Sequence, residues 1–247
     1  MQAVLRFYAE LKDFLAPQRR SGTVTHTFDV PGSVKDVIEA SGVPHTEVDL
    51  ILANGESVDF SYQVAEGDRI SVYPVFEAFD ISSVARVRPQ PLRQVRFVLD
   101  GHLGKLARYL RLLGFDSLCS SDWSDHELVA ISTGEHRILM TRDRALLKHR
   151  AVTHGSYVWA TDPHRQLGEV VRRFHLAGRI APFTRCMHCN GLIEPVEKDD
   201  IAHRLLPWTR DHYDKYSTCT TCERIYWQGS HYQRLNEIVE EARGQEI

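Results

Sequence analysis

Val95-Arg96-Phe97-Val98-Leu99-Asp100-Gly101 is a short apolar run closed by an acid and a glycine. It is partly β-branched and shows no strict polar alternation, which predicts a strand buried on both faces, as in a parallel sheet. Ligands of open α/β sheets bind beyond the carboxyl ends of the strands, so Asp100 is expected at the edge of a cleft. Asp is also well suited to cap a helix that follows. The residues downstream decide how these two readings are weighed.

Leu103, Leu106, Ala107, Leu110 and Leu113 recur at three- and four-residue spacing. They predict an amphipathic helix over 103–113 that Gly114 terminates. Lys105, Arg108 and Arg111 fall on the opposite face, either as a solvated surface or as contacts for phosphate. A second strand is expected at Phe115–Ser120, with Cys119 as a small core residue. Ser124 and Glu127 have the spacing of a capping box for the next helix. Arg137–Thr141 predicts a third strand, Asp143 lies just past it, and Leu146 and Leu147 mark another helix. Tyr157–Ala160 predicts a fourth strand before Asp162, and residues 164–177 a helix with Leu167, Val170, Val171 and Phe174 inward.

Strand and helix thus alternate four times, which argues for a parallel sheet with helices on its faces. Asp100, Asp143 and Asp162 each follow a strand, while Asp122, Asp125 and Glu127 lie in a βα loop or at a helix start. In a parallel sheet these positions share one edge. Carboxylates gathered there repel one another unless cations bind between them. Hard oxygen ligands suit Mg²⁺ or Mn²⁺.

These residues also carry a resemblance. The block from Phe97-Val98-Leu99-Asp100-Gly101-His102 through Leu113-Gly114-Phe115 resembles the opening of the mutator-seven C-terminal ribonuclease family. Asp125-His126-Glu127-Leu128 and Thr141-Arg142-Asp143 resemble its next two blocks, and the likeness extends over roughly residues 94–235. It implies a PIN-like nuclease domain followed by a zinc ribbon. It further implies that Asp100, Asp125 and Asp143 are metal-site acids, with Asp162 as a fourth catalytic carboxylate. Asp162 before Pro163 equally suits a plain helix cap, and Glu127 already has its capping-box explanation. Arg142 and Arg144 either meet phosphate or balance the acids, and Arg142 joins Lys105, Arg108 and Arg111 as a candidate RNA contact.

Net charge is −3, but it is unevenly spread. Residues 1–80 hold 6 Lys/Arg against 13 Asp/Glu, residues 81–180 hold 16 against 9, and residues 181–247 hold 8 against 11. A basic middle third is either a solvated surface or the footprint of a phosphate-backbone partner. No basic-then-apolar leader is read at the first residues, and no apolar run approaches membrane-spanning length. A cytoplasmic protein without membrane contact is expected.

Upstream, Val4–Tyr8 and Thr23–Val30 predict strands, Pro31-Gly32-Ser33 a turn and cap, and residues 33–40 a helix. Leu50–Ala53 leads into Asn54-Gly55, a strong hairpin signal, and Asp68–Pro74 is an alternating final strand. This order over residues 1–77 resembles the ubiquitin-like β-grasp fold, especially its sulfur-carrier branch. Sulfur carriers need a free C-terminal Gly-Gly. No Gly-Gly occurs in this chain, so sulfur transfer is disfavoured. An acidic accessory domain is expected that either recruits a protein partner or shields the basic face, and that is dispensable for chemistry. Residues 78–93, with three arginines and Pro89-Gln90-Pro91, read as a linker.

Cys186-x-x-Cys189 and Cys219-x-x-Cys222 are two metal knuckles separated by 29 residues. In a reducing compartment this pattern favours a structural Zn²⁺ site over disulfides. Tyr226, Trp227, His231 and Tyr232 either stack on bases or pack around a small zinc core.

The expected architecture is α/β: a ubiquitin-like β-grasp domain (1–77), a linker (78–93), a PIN-like parallel sheet flanked by helices (94–180), and a zinc ribbon with a C-terminal helix (181–247). The expected function is metal-dependent hydrolysis of RNA phosphodiesters. The alternative is a non-catalytic RNA-binding adaptor that uses the ribbon and the basic surface.

Overall fold

Alternation in the first residues is resolved as a strand, β1 (Gln2–Phe7), with Ala3, Leu5 and Phe7 buried and their neighbours exposed. The computed structural model describes residues 1–74, 86–87 and 95–245. The stretch read as a linker therefore lies outside the described residues, except for Arg86 and Val87. Contacts divide the chain into two units, Met1–Gln94 with Ser124–Tyr157, and Val95–Trp123 with Val158–Ile247.

In the first unit, β1 is followed by β2 (Thr23–Thr27), α1 (Val34–Ala40), β3 (Val48–Ala53), β4 (Glu56–Val58) and β5 (Arg69–Pro74). The sheet order is β2-β1-β5-β3-β4, with β1 and β5 parallel and the other neighbours antiparallel. This is the β-grasp arrangement expected from the sequence. Asn54 (φ 53°) and Gly55 (φ 92°) form the hairpin between β3 and β4, a turn that needs positive φ at both central residues. Ser33 caps α1 by accepting from Asp36 N. The core is built from Leu5, Phe7, Leu11, Ile38, Ile51 and Ile70. One feature was not legible beforehand: the turn His45–Glu47 is buried, with Glu47 at 0% exposure.

The second unit opens with β6 (Phe97–Leu99), α2 (Gly104–Leu112) and β7 (Ser117–Cys119), and β6 and β7 pair in parallel. Phe97, Val98 and Leu99 are all fully buried, as a strand covered on both faces requires. Leu103, Leu106, Ala107, Leu110 and Leu113 are buried too. Gly114 adopts φ 95°, and a Cβ there would run into Ala181 O, so glycine is needed for both reasons.

The chain then returns to the first unit with α3 (Asp125–Gly134), β8 (Ile138–Thr141), α4 (Arg144–Leu147) and β9 (Gly155–Tyr157). β8 and β9 are again parallel, and every residue of β8 is buried. The fourth strand lies two residues earlier than Tyr157–Ala160. Trp159 N and Ala160 N instead donate to the Glu169 carboxylate, at 2.9 Å each, and so leave the ladder.

The second unit continues with α5 (Pro163–Arg173), whose following residue Phe174 meets Phe97 edge to face at 5.6 Å. β10 (Ile193–Val196), α6 (Lys198–Ile201), α7 (Pro207–His212), β11 (Tyr216–Cys219), β12 (Ile225–Trp227) and α8 (Tyr232–Arg243) complete it. β10, β11 and β12 form an antiparallel sheet in that order. The class is mixed α/β, with parallel strand pairs flanked by helices. Among the described residues, no helix is long and apolar enough to cross a membrane.

Candidate functional site

The acids at the strand ends are held by the backbone geometry that follows each strand. Asp143 is the N-cap of α4, and its Oδ1 accepts from Ala145 N (2.7 Å) and Leu146 N (3.4 Å). Its own N–H donates to Thr141 Oγ1 at 2.9 Å. Both capping bonds use one carboxylate oxygen, and Oδ2 takes no part in the cap. Asp162 caps α5 in the same way, its Oδ1 accepting from His164 N and Arg165 N at 3.1 Å each. The bond from Arg165 N is the main cause that holds its carboxyl below the ordinary range. Asp100 follows β6 with its side chain about one-fifth exposed, and its Oδ1 lies 3.1 Å from His102 Nδ1.

Asp125 is the first residue of α3 and is exposed. Glu127 closes the expected capping box. Its Oε2 accepts from Ser124 N (2.8 Å) and Ser124 Oγ (2.7 Å), and these bonds lower its pKa. Asp122 is exposed, and its backbone N–H donates to Ser120 Oγ. Asp125 and Asp143 belong to the first unit, Asp100 and Asp162 to the second.

The cations divide. Lys105 and Arg108 are exposed and Arg142 is half-buried. Arg111 departs from the expected RNA contact. It is 5% exposed, its Nε donates to Ser117 O (2.7 Å), and its Nη1 donates to His188 O (2.8 Å) and Met187 O (3.3 Å). Buried guanidinium facing three carbonyls is a structural tie between β7 and the first knuckle. Spacing alone put Arg111 on the wet face, because the knuckle that covers it lies 75 residues further along the chain.

The four cysteines come together. Among the described residues, Cys186, Cys189, Cys219 and Cys222 form a group whose ligand atoms all lie within 4.8 Å of one another. The Sγ atoms of Cys186 and Cys222 are 3.6 Å apart, and those of Cys189 and Cys219 are 3.4 Å apart. A tetrahedron of thiolates about 2.3 Å from Zn²⁺ places its sulfurs roughly 3.8 Å apart, so the donor set fits that ion. The turns are knuckles, in which Cys189 N points at Cys186 Sγ and Cys222 N at Cys219 Sγ, each at 3.4 Å. Burial raises the thiol of Cys186, but the Tyr226 hydroxyl at 2.9 Å and nearby backbone N–H groups outweigh it and bring the thiol down to about 6. Burial and the crowd of neighbouring thiols push Cys189 up to about 12. Four thiols this close cannot all ionise easily without a cation among them.

Two residues tie the first knuckle to β7 in addition to Arg111. Asn190, at φ 73°, donates from Nδ2 to Asp116 Oδ1 (2.8 Å) and accepts at Oδ1 from Ser117 N (2.9 Å). Arg185 lies 3.7 Å from Asp116 and donates to Asn190 O. The residues around the ribbon also shape a cleft of about 730 Å³, lined in part by Phe183, Tyr226, Trp227, His231 and Tyr232. Phe183 and Tyr232 stack at 5.0 Å, and Trp227 is 41% exposed. The four ring residues singled out in the sequence therefore line one cavity.

Comparison with known proteins gives matches over both parts of the chain. A family model described as Mut7-C RNAse domain matches residues 95–239, and one described as Mut7-C ubiquitin matches residues 1–80. Among solved structures, SAMP1 from Haloferax volcanii is similar at 20% identity and a TM-score of 0.26, over 32% of this chain and all of that one. No curated protein matches the chain.

Proposed function

This chain belongs to the Mut7-C RNAse domain family, and from that premise we propose that it hydrolyses RNA phosphodiester bonds with divalent ions held by Asp100, Asp125 and Asp143. The observation that carries the proposal is the family match over 95–239, a span that includes all three acids. Hard carboxylate oxygens are the donors that Mg²⁺ and Mn²⁺ take. The cap on Asp143 engages Oδ1, and Oδ2 is the ligand atom it would offer. Asp162 is the fourth acid of the proposal, with the same one-oxygen cap.

When bound, such an ion lowers the pKa of water and offsets charge that develops on the phosphate. The protein's own residues do the rest. Asp143 is fixed by two backbone N–H groups, those of Ala145 and Leu146. Lys105, Arg108 and Arg142 attract the phosphate backbone, an attraction that falls as salt rises. The four cysteines hold a Zn²⁺ ion that fastens the ribbon and takes no part in the reaction, because four protein ligands leave a tetrahedral ion no open position.

The test is incubation of end-labelled RNA and of DNA of the same sequence with purified full chain, Mn²⁺ or Mg²⁺, and a chelator control. Cleavage of RNA that depends on divalent metal is expected. Tight RNA binding without cleavage in any divalent metal would replace the nuclease by an RNA-binding adaptor.

A further inference from the structure

Within the unit Met1–Gln94 with Ser124–Tyr157, the β-grasp residues grip both ends of the helix that Asp143 begins. At the start of α4, Arg144 Nη1 donates to Phe14 O at 3.0 Å. The same guanidinium lies over the Phe14 ring (5.1 Å) and the Tyr157 ring (5.4 Å), which meet edge to face. At the end of α4, Lys148 Nζ donates to Glu39 O at 2.6 Å.

The buried turn His45–Glu47 grips the next segment. A carbonyl can only accept, so His45 Nε2 donates to Val152 O at 2.8 Å. Glu47 Oε1 accepts from Tyr157 N at 2.6 Å. Gly155 lies between these two anchors. A Cβ there would meet Leu147 Cδ2 at 2.7 Å and Thr46 Cβ at 3.4 Å, so turn, helix and strand fit closely and a larger residue would displace the Leu147 side chain.

These contacts lead to Asp143 by a short path. Tyr157, whose N–H Glu47 holds, is the register partner of Thr141 in the β8–β9 pair. Thr141 Oγ1 accepts from Asp143 N. A carboxylate is not buried at 0% exposure without donors to meet it. A domain that serves solely to recruit partners gains nothing from placing one here.

We infer that the N-terminal domain is a positioning element for Asp143, acting through Glu47, His45 and the Phe14–Arg144 contact. The inference rests on the reading of Asp143 as a metal-site acid. It reverses the expectation that residues 1–77 can be removed without loss of turnover.

The test uses the full chain as wild type, Glu47→Ala, Glu47→Gln and Lys148→Met, each confirmed as folded by circular dichroism. Two readouts are taken: hydrogen exchange over residues 140–157, and kcat and KM for a labelled RNA. Glu47→Ala should speed exchange of the Ala145 and Leu146 amides, which donate to Asp143. It should lower kcat about 10-fold or more, since small misplacements of a reacting group cost up to about 100-fold, and leave KM near the wild-type value. Glu47→Gln keeps an oxygen that accepts from Tyr157 N and should restore most of kcat. Lys148→Met should loosen the same amides from the other end of α4, which keeps the question open to refutation if Glu47→Ala does not fold. Unchanged exchange in these variants would overturn the inference, as would faster exchange with wild-type kcat. If the wild type cleaves no RNA at all, the nuclease reading fails by itself, and exchange alone decides whether Glu47 clamps the Asp143 turn.

Discussion

Asn190→Ala is the substitution that should cost most for its size. Asn190 is 7% exposed, and its side chain bonds Ser117 N and Asp116 Oδ1. Ser117 is fully buried, so its N–H would lose its partner with no route to water, a cost of about 1–3 kcal/mol. The lost bond to the charged Asp116 adds about 1.5 kcal/mol, at the low end because Arg185 remains 3.7 Å from that carboxylate. Asn190 sits at φ 73°, where alanine is strained by about 1 kcal/mol more. The sum is about 3.5–5.5 kcal/mol. Asn190→Gly removes the same bonds without the strain and should recover about 1 kcal/mol of that loss. Asn190→Asp keeps the acceptor for Ser117 N but sets two carboxylates against each other, so it should remain well below wild type. The assay is urea unfolding of the zinc-loaded chain, with hydrogen exchange at the Ser117 amide as a local readout. A loss for Asn190→Ala no larger than the ~0.5 kcal/mol typical of surface changes would refute the reasoning.

Removing zinc, or substituting Cys219→Ser, should loosen residues 185–232 and leave the β1–β5 sheet protected; metal analysis that finds no stoichiometric zinc in chelator-free protein would end the structural-zinc reading. Arg111→Lys should lower stability by about 2 kcal/mol, because one ammonium cannot serve Ser117 O, Met187 O and His188 O together, while RNA affinity stays at the wild-type value. A loss of RNA affinity in folded Arg111→Lys, with stability unchanged, would return Arg111 to the phosphate-binding set.

Local patterns in the sequence were legible where the physics is local. The apolar run at Phe97–Leu99, the spacing of Leu103, Leu106 and Leu110, the Ser124–Glu127 box and the Asn54-Gly55 hairpin all formed as read. The two Cys-x-x-Cys pairs identified one ligand group despite their 29-residue separation, since four thiols have few other uses in one small module. What escaped depends on contacts between distant residues. Arg111 has the spacing of a solvent-facing cation and is buried because Met187 and His188 cover it. Glu47 carries no local signal in the sequence, and only its bond to Tyr157, 110 residues away, shows why it is buried. β9 ends at Tyr157 although the apolar Trp159-Ala160 pair has the pattern of a ladder, because Glu169 on α5 takes both amides.

The most direct test of the nuclease reading is cleavage of labelled RNA by wild type and Asp143→Asn, side by side in Mn²⁺. Asn is as good an N-cap as Asp, so the variant keeps the bonds to Ala145 N and Leu146 N and loses the ligand charge. The account predicts that RNA binding is retained and that the cleavage rate falls on the order of 100-fold or more. Cleavage by Asp143→Asn at the wild-type rate, or wild-type cleavage that persists in excess chelator, would contradict it.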